Sequence, residues 1–169
     1  MADVFISHLE WTGADSGPTR DPATFSRDLN VSMDATTLPM SSAPGYRGDP
    51  SRANPEQLFV ASLSACHALT YLFLAAKNQI PVVSYRDDAE GHLGPVDGKI
   101  RMSRVTLRPL ITLESGANEA RARSLVAKAH ESCFIANSVA TAVDVVPAFA
   151  FAEAAASRRQ PRHAATASE

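Results

Sequence analysis

The longest uncharged stretch of the chain runs from Gln57 to Ala76, and helix-start signals stand directly before it. Asn54 is a favourable N-cap, Pro55 fits the first helical position, and Gln57 completes a spacing typical of a capping box. The pattern predicts one helix over residues 54–77, roughly 35 Å long at a rise of 1.5 Å per residue.

A second helix is predicted over residues 115–138, with Ser115 or Asn118 as its cap. Apolar residues recur along one side of this segment at helical spacing, which predicts that this side faces the core. The positions that define this inner face are Leu125, Val126, Ala129 and Cys133.

Alternating apolar and polar positions predict strands around the two helices. Residues 3–12 and 24–33 are predicted to pair as an antiparallel hairpin. The following loop, residues 34–53, has at most a short strand near Leu38–Ser42. Three further strands are predicted over residues 81–93, 99–113 and 139–151.

The apolar positions change phase within residues 99–113, which predicts a bulge or bend near Ser103. The order of elements is two strands, a long helix, two strands, a helix and a strand. This order is typical of an α+β fold.

The long helix has no hydrophilic face, so it must be covered on every side. One small sheet covers about one side, and the simplest further cover is the same helix of a second chain, which predicts a homodimer. Its length would also span a bilayer. However, polar residues such as Ser62, His67 and Thr70 interrupt the run, so we expect a core helix and no membrane partner.

Length and charge limit the classes of function. The 169 residues suit one domain, which we expect over residues 1–152, with a disordered tail over residues 153–169. The formal net charge of −2 indicates neither nucleic acid nor an anionic membrane as a partner. The first thirteen residues lack the pattern of a signal peptide, so we expect a cytoplasmic protein.

Two cysteines, Cys66 and Cys133, lie on the inner faces of the two predicted helices. Buried free cysteines are often inert packing residues. Here Cys66 lies among small polar residues, and Cys133 follows His130 by one helical turn, which favours a redox role. A metal site would need His67 and His130 as well, but the spacing is unlike that of zinc sites, and we predict no metal.

The stretches around the two cysteines also carry a resemblance. NPEQLFVASLSACHALTYL resembles the characteristic helix of the OsmC/Ohr family, with a cysteine ten residues after the Glu, and HESCFIANS is similar to the family's second cysteine motif. The resemblance covers residues 3–148. It implies an intertwined homodimer in which antiparallel sheets wrap around two long central helices, and it implies thiol-dependent reduction of organic hydroperoxides.

The resemblance also implies roles for individual residues. Cys66 corresponds to the peroxidatic cysteine, Cys133 to the resolving cysteine and Glu56 to the catalytic glutamate. Arg27 is the first candidate for the catalytic arginine, with Arg20 and Arg47 as alternatives. The chain departs from the best-studied branch at two positions, having His67 after the first cysteine and Phe134 where proline follows the second.

The chemistry explains why an arginine is needed. A thiolate, not a thiol, cleaves a peroxide, and Cys66 lies too far along its helix for the helix dipole to stabilise the anion. Arginine is always charged and can contact both sulfur and peroxide oxygen. Glu56 lies roughly 15 Å from Cys66 along the helix, so either an arginine spans part of the gap or a second chain completes the site.

The expected cycle needs an organic hydroperoxide, an external dithiol reductant and no bound cofactor, since sulfur performs the redox chemistry. A second hypothesis remains open, namely a non-catalytic dimer that binds an apolar ligand or senses oxidants. The roles of His67 and His130 also remain open.

Overall fold

A computed structural model describes residues 3–153, so most of the predicted tail, residues 154–169, lies outside the described part. The mixed α+β class is confirmed. The elements are β1 (His8–Trp11), β2 (Leu29–Met33), β3 (Thr36–Met40), α1 (Pro55–Lys77), β4 (Val82–Asp87), β5 (Glu90–Val96), β6 (Lys99–Leu107), β7 (Pro109–Leu113), α2 (Glu119–Glu131), β8 (Ala142–Val145) and β9 (Ala148–Phe151).

The strands form three three-stranded sheets, in the orders β1-β2-β3, β4-β7-β9 and β5-β6-β8. The antiparallel pairs are β1–β2, β2–β3, β5–β6 and β4–β7. The last two strands instead add in parallel, β8 to β6 and β9 to β7. The C-terminal segment therefore joins both of the sheets that flank the helices.

The predicted N-terminal hairpin is confirmed, but its strands are shorter and a third strand follows. β2 begins at Leu29, so Phe25 and Arg27 lie in the preceding connection and not on the predicted apolar face. β3 occupies part of the predicted loop, and its Pro39 is paired with Asn30 of β2. Because β3 is an edge strand, the missing N–H of proline is tolerated there.

Two long predicted strands are each divided in the structure. Residues 81–93 divide between β4 and β5, and residues 99–113 divide at Arg108 between β6 and β7, which belong to different sheets. The predicted bulge at Ser103 is confirmed, because the partners of His92 and Leu93 in β6 are Arg104 and Met102, which leaves Ser103 unpaired.

The starts of both helices follow their caps. The Gln57 backbone N–H donates to Asn54 Oδ1 at 2.9 Å, and the Asn54 N–H donates to Gln57 Oε1 at 3.1 Å, which completes the capping box. Asn118 caps α2 by accepting from the Arg121 N–H at 2.9 Å. The second helix ends at Glu131, earlier than predicted, so Cys133 lies just beyond its last turn.

The buried residues of α1 recur every four positions, as Leu63, His67, Tyr71 and Ala75. This line of residues faces α2 and the strands β4, β5 and β6. Tyr71 and Ala75 belong to one apolar cluster and Leu63 to another. By length and composition alone α1 could cross a membrane, but here it is the helix on which the sheets pack.

The opposite side of α1 is exposed in the single chain, at residues that include Leu69, Leu72 and Phe73. A helix this apolar was predicted to need cover on all sides. Residues 3–153 of the same chain do not cover this side of α1.

Candidate active site

The structure brings the two cysteines together. Cys66 lies in the middle of α1 and is half-buried, whereas Cys133 lies beyond the end of α2 and is buried. Both are free thiols, and Cys66 lies near enough to Cys133 to influence the pKa of the Cys133 thiol. The packing of α1 against α2 therefore brings the two thiols near each other.

The surroundings of Cys133 keep it protonated. Burial raises the pKa of the Cys133 thiol above its ordinary value, and the neighbouring Cys66 raises it further. The backbone N–H groups of Ala136 and Ile135 act in the opposite direction without reversing the shift. Cys133 is therefore a thiol at neutral pH.

An apolar cleft of about 460 Å³ opens over Cys66. Three large side chains in its wall are mostly exposed in the single chain: Leu69 is 70%, Phe73 is 65% and Phe134 is 81% accessible. Phe134 stands where the resemblance expects proline, so the departure adds apolar surface beside the thiols. The lining residues are Cys66, Leu69, Thr70, Phe73, Leu74, Ser132 and Phe134.

Glu56 lies in the first turn of α1 and lines a different cleft, of about 530 Å³, together with Ser64 and Asp87. Its Oε2 atom is buried, and within residues 3–153 it has no hydrogen-bond partner. Within residues 3–153 of the single chain, no arginine therefore contacts this oxygen atom.

Two of the three candidate arginines donate hydrogen bonds to backbone carbonyls away from the cysteines, and the third is exposed. The Arg27 guanidinium donates to the backbone carbonyls of Phe25 and Pro22 and lies 4.0 Å from the centre of the Phe25 ring. Arg47 donates to the Ala23 carbonyl at 2.7 Å, and Arg20 is exposed. Among the described residues no arginine lines the cleft over Cys66, so the choice of arginine stays a prediction.

His67 is fully buried between α1, α2 and β4, a position that sequence reasoning did not assign. Its Nδ1 atom is 2.9 Å from the Tyr85 hydroxyl of β4. Burial holds the pKa of His67 below its ordinary value of 6.5, and nearby His130 lowers it further. The four-residue spacing of Leu63, His67 and Tyr71 is the sequence signal that could have found this inner-face position.

A second polar contact ties α1 to β4 on the other side of Cys66. Ser64 Oγ donates to Asp87 Oδ2 at 2.5 Å, and the Arg108 backbone N–H donates to Asp87 Oδ1 at 2.6 Å. In the described part of the chain, no group of three or more histidine, cysteine or acidic side chains is arranged to hold a metal ion.

Comparisons with known proteins agree with the resemblance seen in the sequence. The family profile described as OsmC-like protein matches residues 48–147. An OsmC-like protein of unknown function from Vibrio cholerae has a solved structure that is 33% identical, with a TM-score of 0.80, covering 87% of this chain and 100% of that one. A search of curated protein sequences finds no match.

Two more distant structures share the fold. An organic hydroperoxide resistance protein from Legionella pneumophila is 24% identical with a TM-score of 0.64, covering 89% of this chain and 98% of its own. Another organic hydroperoxide resistance protein, from Elizabethkingia anophelis and solved with thiocyanate bound, is 22% identical with a TM-score of 0.64, covering 90% and 100%.

Proposed function

Because the chain belongs to the OsmC-like family, we propose that it is a thiol-dependent peroxidase that reduces organic hydroperoxides to alcohols. Cys66 is the attacking residue and Cys133 the resolving residue. The observation that carries the proposal is that Cys66, a free thiol, lines an apolar cleft and lies near a second free thiol, Cys133. The organic hydroperoxide resistance proteins with the same fold give it further support.

The proposed catalytic cycle has three steps. The Cys66 thiolate attacks the terminal peroxide oxygen, the O–O bond breaks, the alkoxide leaves and is protonated to the alcohol, and Cys66 becomes a sulfenic acid. Cys133 then attacks that sulfur as a thiolate, the S–O bond breaks, and the hydroxide that leaves is protonated to water. An external dithiol reduces the resulting disulfide and is itself oxidised to a disulfide.

The different environments of the two sulfurs support this division of roles. Cys66 lies beside the cleft and is accessible to a substrate, whereas Cys133 is buried behind it. Because burial raises the pKa of Cys133, this sulfur does not compete for the hydroperoxide. It becomes a nucleophile only where the electrophilic sulfenic sulfur is already adjacent.

The cleft and the exposed face of α1 support the remaining parts of the proposal. Walls made of Leu69, Phe73 and Phe134 favour a hydroperoxide with an alkyl or acyl chain over hydrogen peroxide. The same residues are a large apolar patch that a second copy of the chain would cover, so the active form is a homodimer. Residues 1–152 form one domain, and the protein acts in the cytoplasm.

An arginine paired with Glu56 stabilises the Cys66 thiolate in this scheme. The buried, unpartnered Oε2 atom of Glu56 supports the need for a cation there. Arg27 remains the first candidate, with Arg20 and Arg47 as alternatives. Since Arg27 is bonded within its own loop in the single chain, the second copy is the simplest source of the arginine.

One experiment tests the catalytic proposal. Consumption of cumene hydroperoxide with dihydrolipoamide as reductant is measured for the wild type, Cys66→Ser and Cys133→Ser. We expect turnover only in the wild type, and one equivalent of hydroperoxide consumed by Cys133→Ser. Absence of turnover in the wild type, with Cys66→Ser indistinguishable from it, would leave the second hypothesis, a dimer that binds an apolar ligand or senses oxidants.

The arginine is identified by a parallel series. Arg20→Ala, Arg27→Ala and Arg47→Ala are compared in the same assay with Arg101→Ala, a matched control whose side chain is paired with Asp97 at a hairpin end. We expect a large loss of turnover in Arg27→Ala and none in the control. Full activity in Arg27→Ala would move the role to whichever of the other two variants is inactive.

A further inference from the structure

The segment that follows α2 carries Cys133 and borders the cleft over Cys66. Residues 131–138 form a turn, here called the Cys133 turn, in which Cys133 is only 1% exposed. The neighbours of Cys133 in the chain, Ser132 and Phe134, line the same cleft as Cys66. The shape of the Cys133 turn therefore decides where the buried sulfur lies relative to the cleft.

Asn137 is the first of two polar side chains that hold the Cys133 turn. The last carbonyl groups of a helix have no helical partners. At the end of α2, the Glu131 carbonyl instead accepts a hydrogen bond from Asn137 Nδ2 at 2.9 Å. The Asn137 backbone N–H donates to the carbonyl of Cys133 itself at 3.0 Å. Asn137 thus closes the chain around Cys133, with one bond before that residue and one at it.

Ser138 is the second side chain that holds the Cys133 turn. Its hydroxyl donates to the Phe134 carbonyl at 2.7 Å, and its backbone N–H donates to the Ile135 carbonyl at 3.0 Å. Ile135 and Ala136 pack against the apolar cluster that contains Leu63 of α1. This packing attaches the turn to the helix that carries the first cysteine, and the side-chain hydrogen bonds fix the shape of the turn.

We propose that Asn137, assisted by Ser138, is the positioning residue of Cys133. In the described part of the chain neither side chain lines the cleft over Cys66, so both act through the backbone of the turn. They keep the Cys133 sulfur behind the cleft, ready to attack a sulfenic acid on Cys66. The inference rests on the proposed function, since it concerns the disulfide-forming step.

The chain offers a matched control for each side chain. Asn78 Nδ2 donates to the Leu74 carbonyl at 2.7 Å at the end of α1, so Asn78→Ala also removes an amide donor from a helix-end carbonyl. Asn78 accepts from Arg121 as well, so its loss should cost at least as much global stability. Ser124 Oγ donates to the Arg121 carbonyl at 2.7 Å, which makes Ser124→Ala the control for the hydroxyl. Among the described residues, neither control side chain is hydrogen-bonded to the Cys133 turn.

The first measurement is the equilibrium between the protein dithiol and oxidised glutathione, which gives the protein disulfide and two reduced glutathione molecules. It needs no hydroperoxide. We expect the equilibrium constant to fall roughly fivefold in Asn137→Ala, as for the loss of one hydrogen bond, and by less than about twofold in Asn78→Ala. Equal changes in the two variants, or no Cys66–Cys133 disulfide in the wild type, would overturn the inference.

Ser138 allows the same equilibrium to be tested with a conservative rescue. Ser138→Ala removes the hydroxyl that donates to Phe134, whereas Ser138→Thr keeps a hydroxyl at that position. We expect the equilibrium constant to fall in Ser138→Ala and to return to near the wild-type value in Ser138→Thr, with Ser124→Ala unchanged. Equal losses in the alanine and threonine variants would contradict the role of the hydroxyl. This pair decides the question if Asn137→Ala does not fold.

A third measurement needs neither a hydroperoxide nor a disulfide. The rate at which iodoacetamide alkylates Cys133 is measured in Cys66→Ser, with and without Asn137→Ala. We expect a roughly fivefold faster reaction with Asn137→Ala, because a looser turn exposes the buried sulfur more often, and no increase with Asn78→Ala. An unchanged rate with Asn137→Ala would count against the inference. If the protein lacks peroxidase turnover while these results hold, the proposed function fails and the positioning role stands.

Discussion

Replacing Phe73 by alanine tests whether a second copy covers the exposed face of α1. The Phe73 side chain is 65% accessible in the single chain, and a phenylalanine buries on the order of 200 Å² when fully covered. About 130 Å² is therefore available for burial, equivalent to ~3 kcal/mol at 25 cal/mol per Å². Ordering and imperfect packing offset part of this in association, so ~2 kcal/mol per copy is a reasonable expectation.

In a two-fold symmetric dimer the substitution acts twice, once from each chain. The dimerisation free energy should weaken by ~4 kcal/mol, which is roughly a thousandfold in the dissociation constant. Sedimentation equilibrium over a range of protein concentrations measures this constant directly. Val146→Ala is the control, because Val146 is also 58% exposed but does not line the cleft over Cys66. An unchanged dissociation constant in Phe73→Ala, or a monomeric wild type, would refute the reasoning.

Three further predictions concern stability, each measured by urea unfolding. Burial holds the pKa of His67 below 6.5 in the folded protein, so the unfolded chain takes up a proton first as the pH falls. The contribution of His67 to the free energy of unfolding is therefore complete above about pH 6.5 and declines below it. His67→Leu should remove that part of the decline. Ser64→Ala removes the hydrogen bond to Asp87 and should cost about 1–3 kcal/mol; an unchanged midpoint would contradict this. A methyl group at Gly91 would overlap the Val60 side chain, whereas one at Gly94 would make only an ordinary contact with Ser103 Oγ at 4.0 Å. Gly91→Ala should therefore cost about 1–3 kcal/mol and Gly94→Ala much less.

Features encoded within a few consecutive residues were predictable from the sequence. The cap at Asn54 placed the start of α1, and Asn118 was one of the two cap candidates for α2, since the side-chain hydrogen bonds of both involve residues only three positions away. The phase change near Ser103 predicted the bulge, because side chains alternate strictly along a strand. The predicted inner-face position of Cys66 was wrong, because the buried line of α1 passes through His67 and leaves Cys66 half-buried beside the cleft. Cys133 is buried as predicted, but it lies beyond the end of α2.

Features that depend on distant partners were not predictable. The division at Arg108 follows from β6 and β7 joining different sheets, which no local pattern encodes. The parallel addition of β8 and β9 likewise depends on strands more than thirty residues away. The contact between His67 and Tyr85 depends on β4 lying beside the middle of α1, so the sequence could not assign this partner to His67.

The state of Glu56 links the proposed dimer to the proposed chemistry. A buried carboxylate oxygen without a hydrogen bond costs at least 1–3 kcal/mol, and in the described residues nothing offsets this at Oε2. Arg27 is bonded to carbonyls of its own loop, so a cation from a second copy is the simplest compensation. If so, Phe73→Ala should lose the dimer and the rapid reaction of Cys66 with cumene hydroperoxide together, at the same protein concentration. A Phe73→Ala monomer that reacts as fast as the wild type would mean that one chain holds a complete site, and the arginine would then have to come from a rearrangement of its own loop.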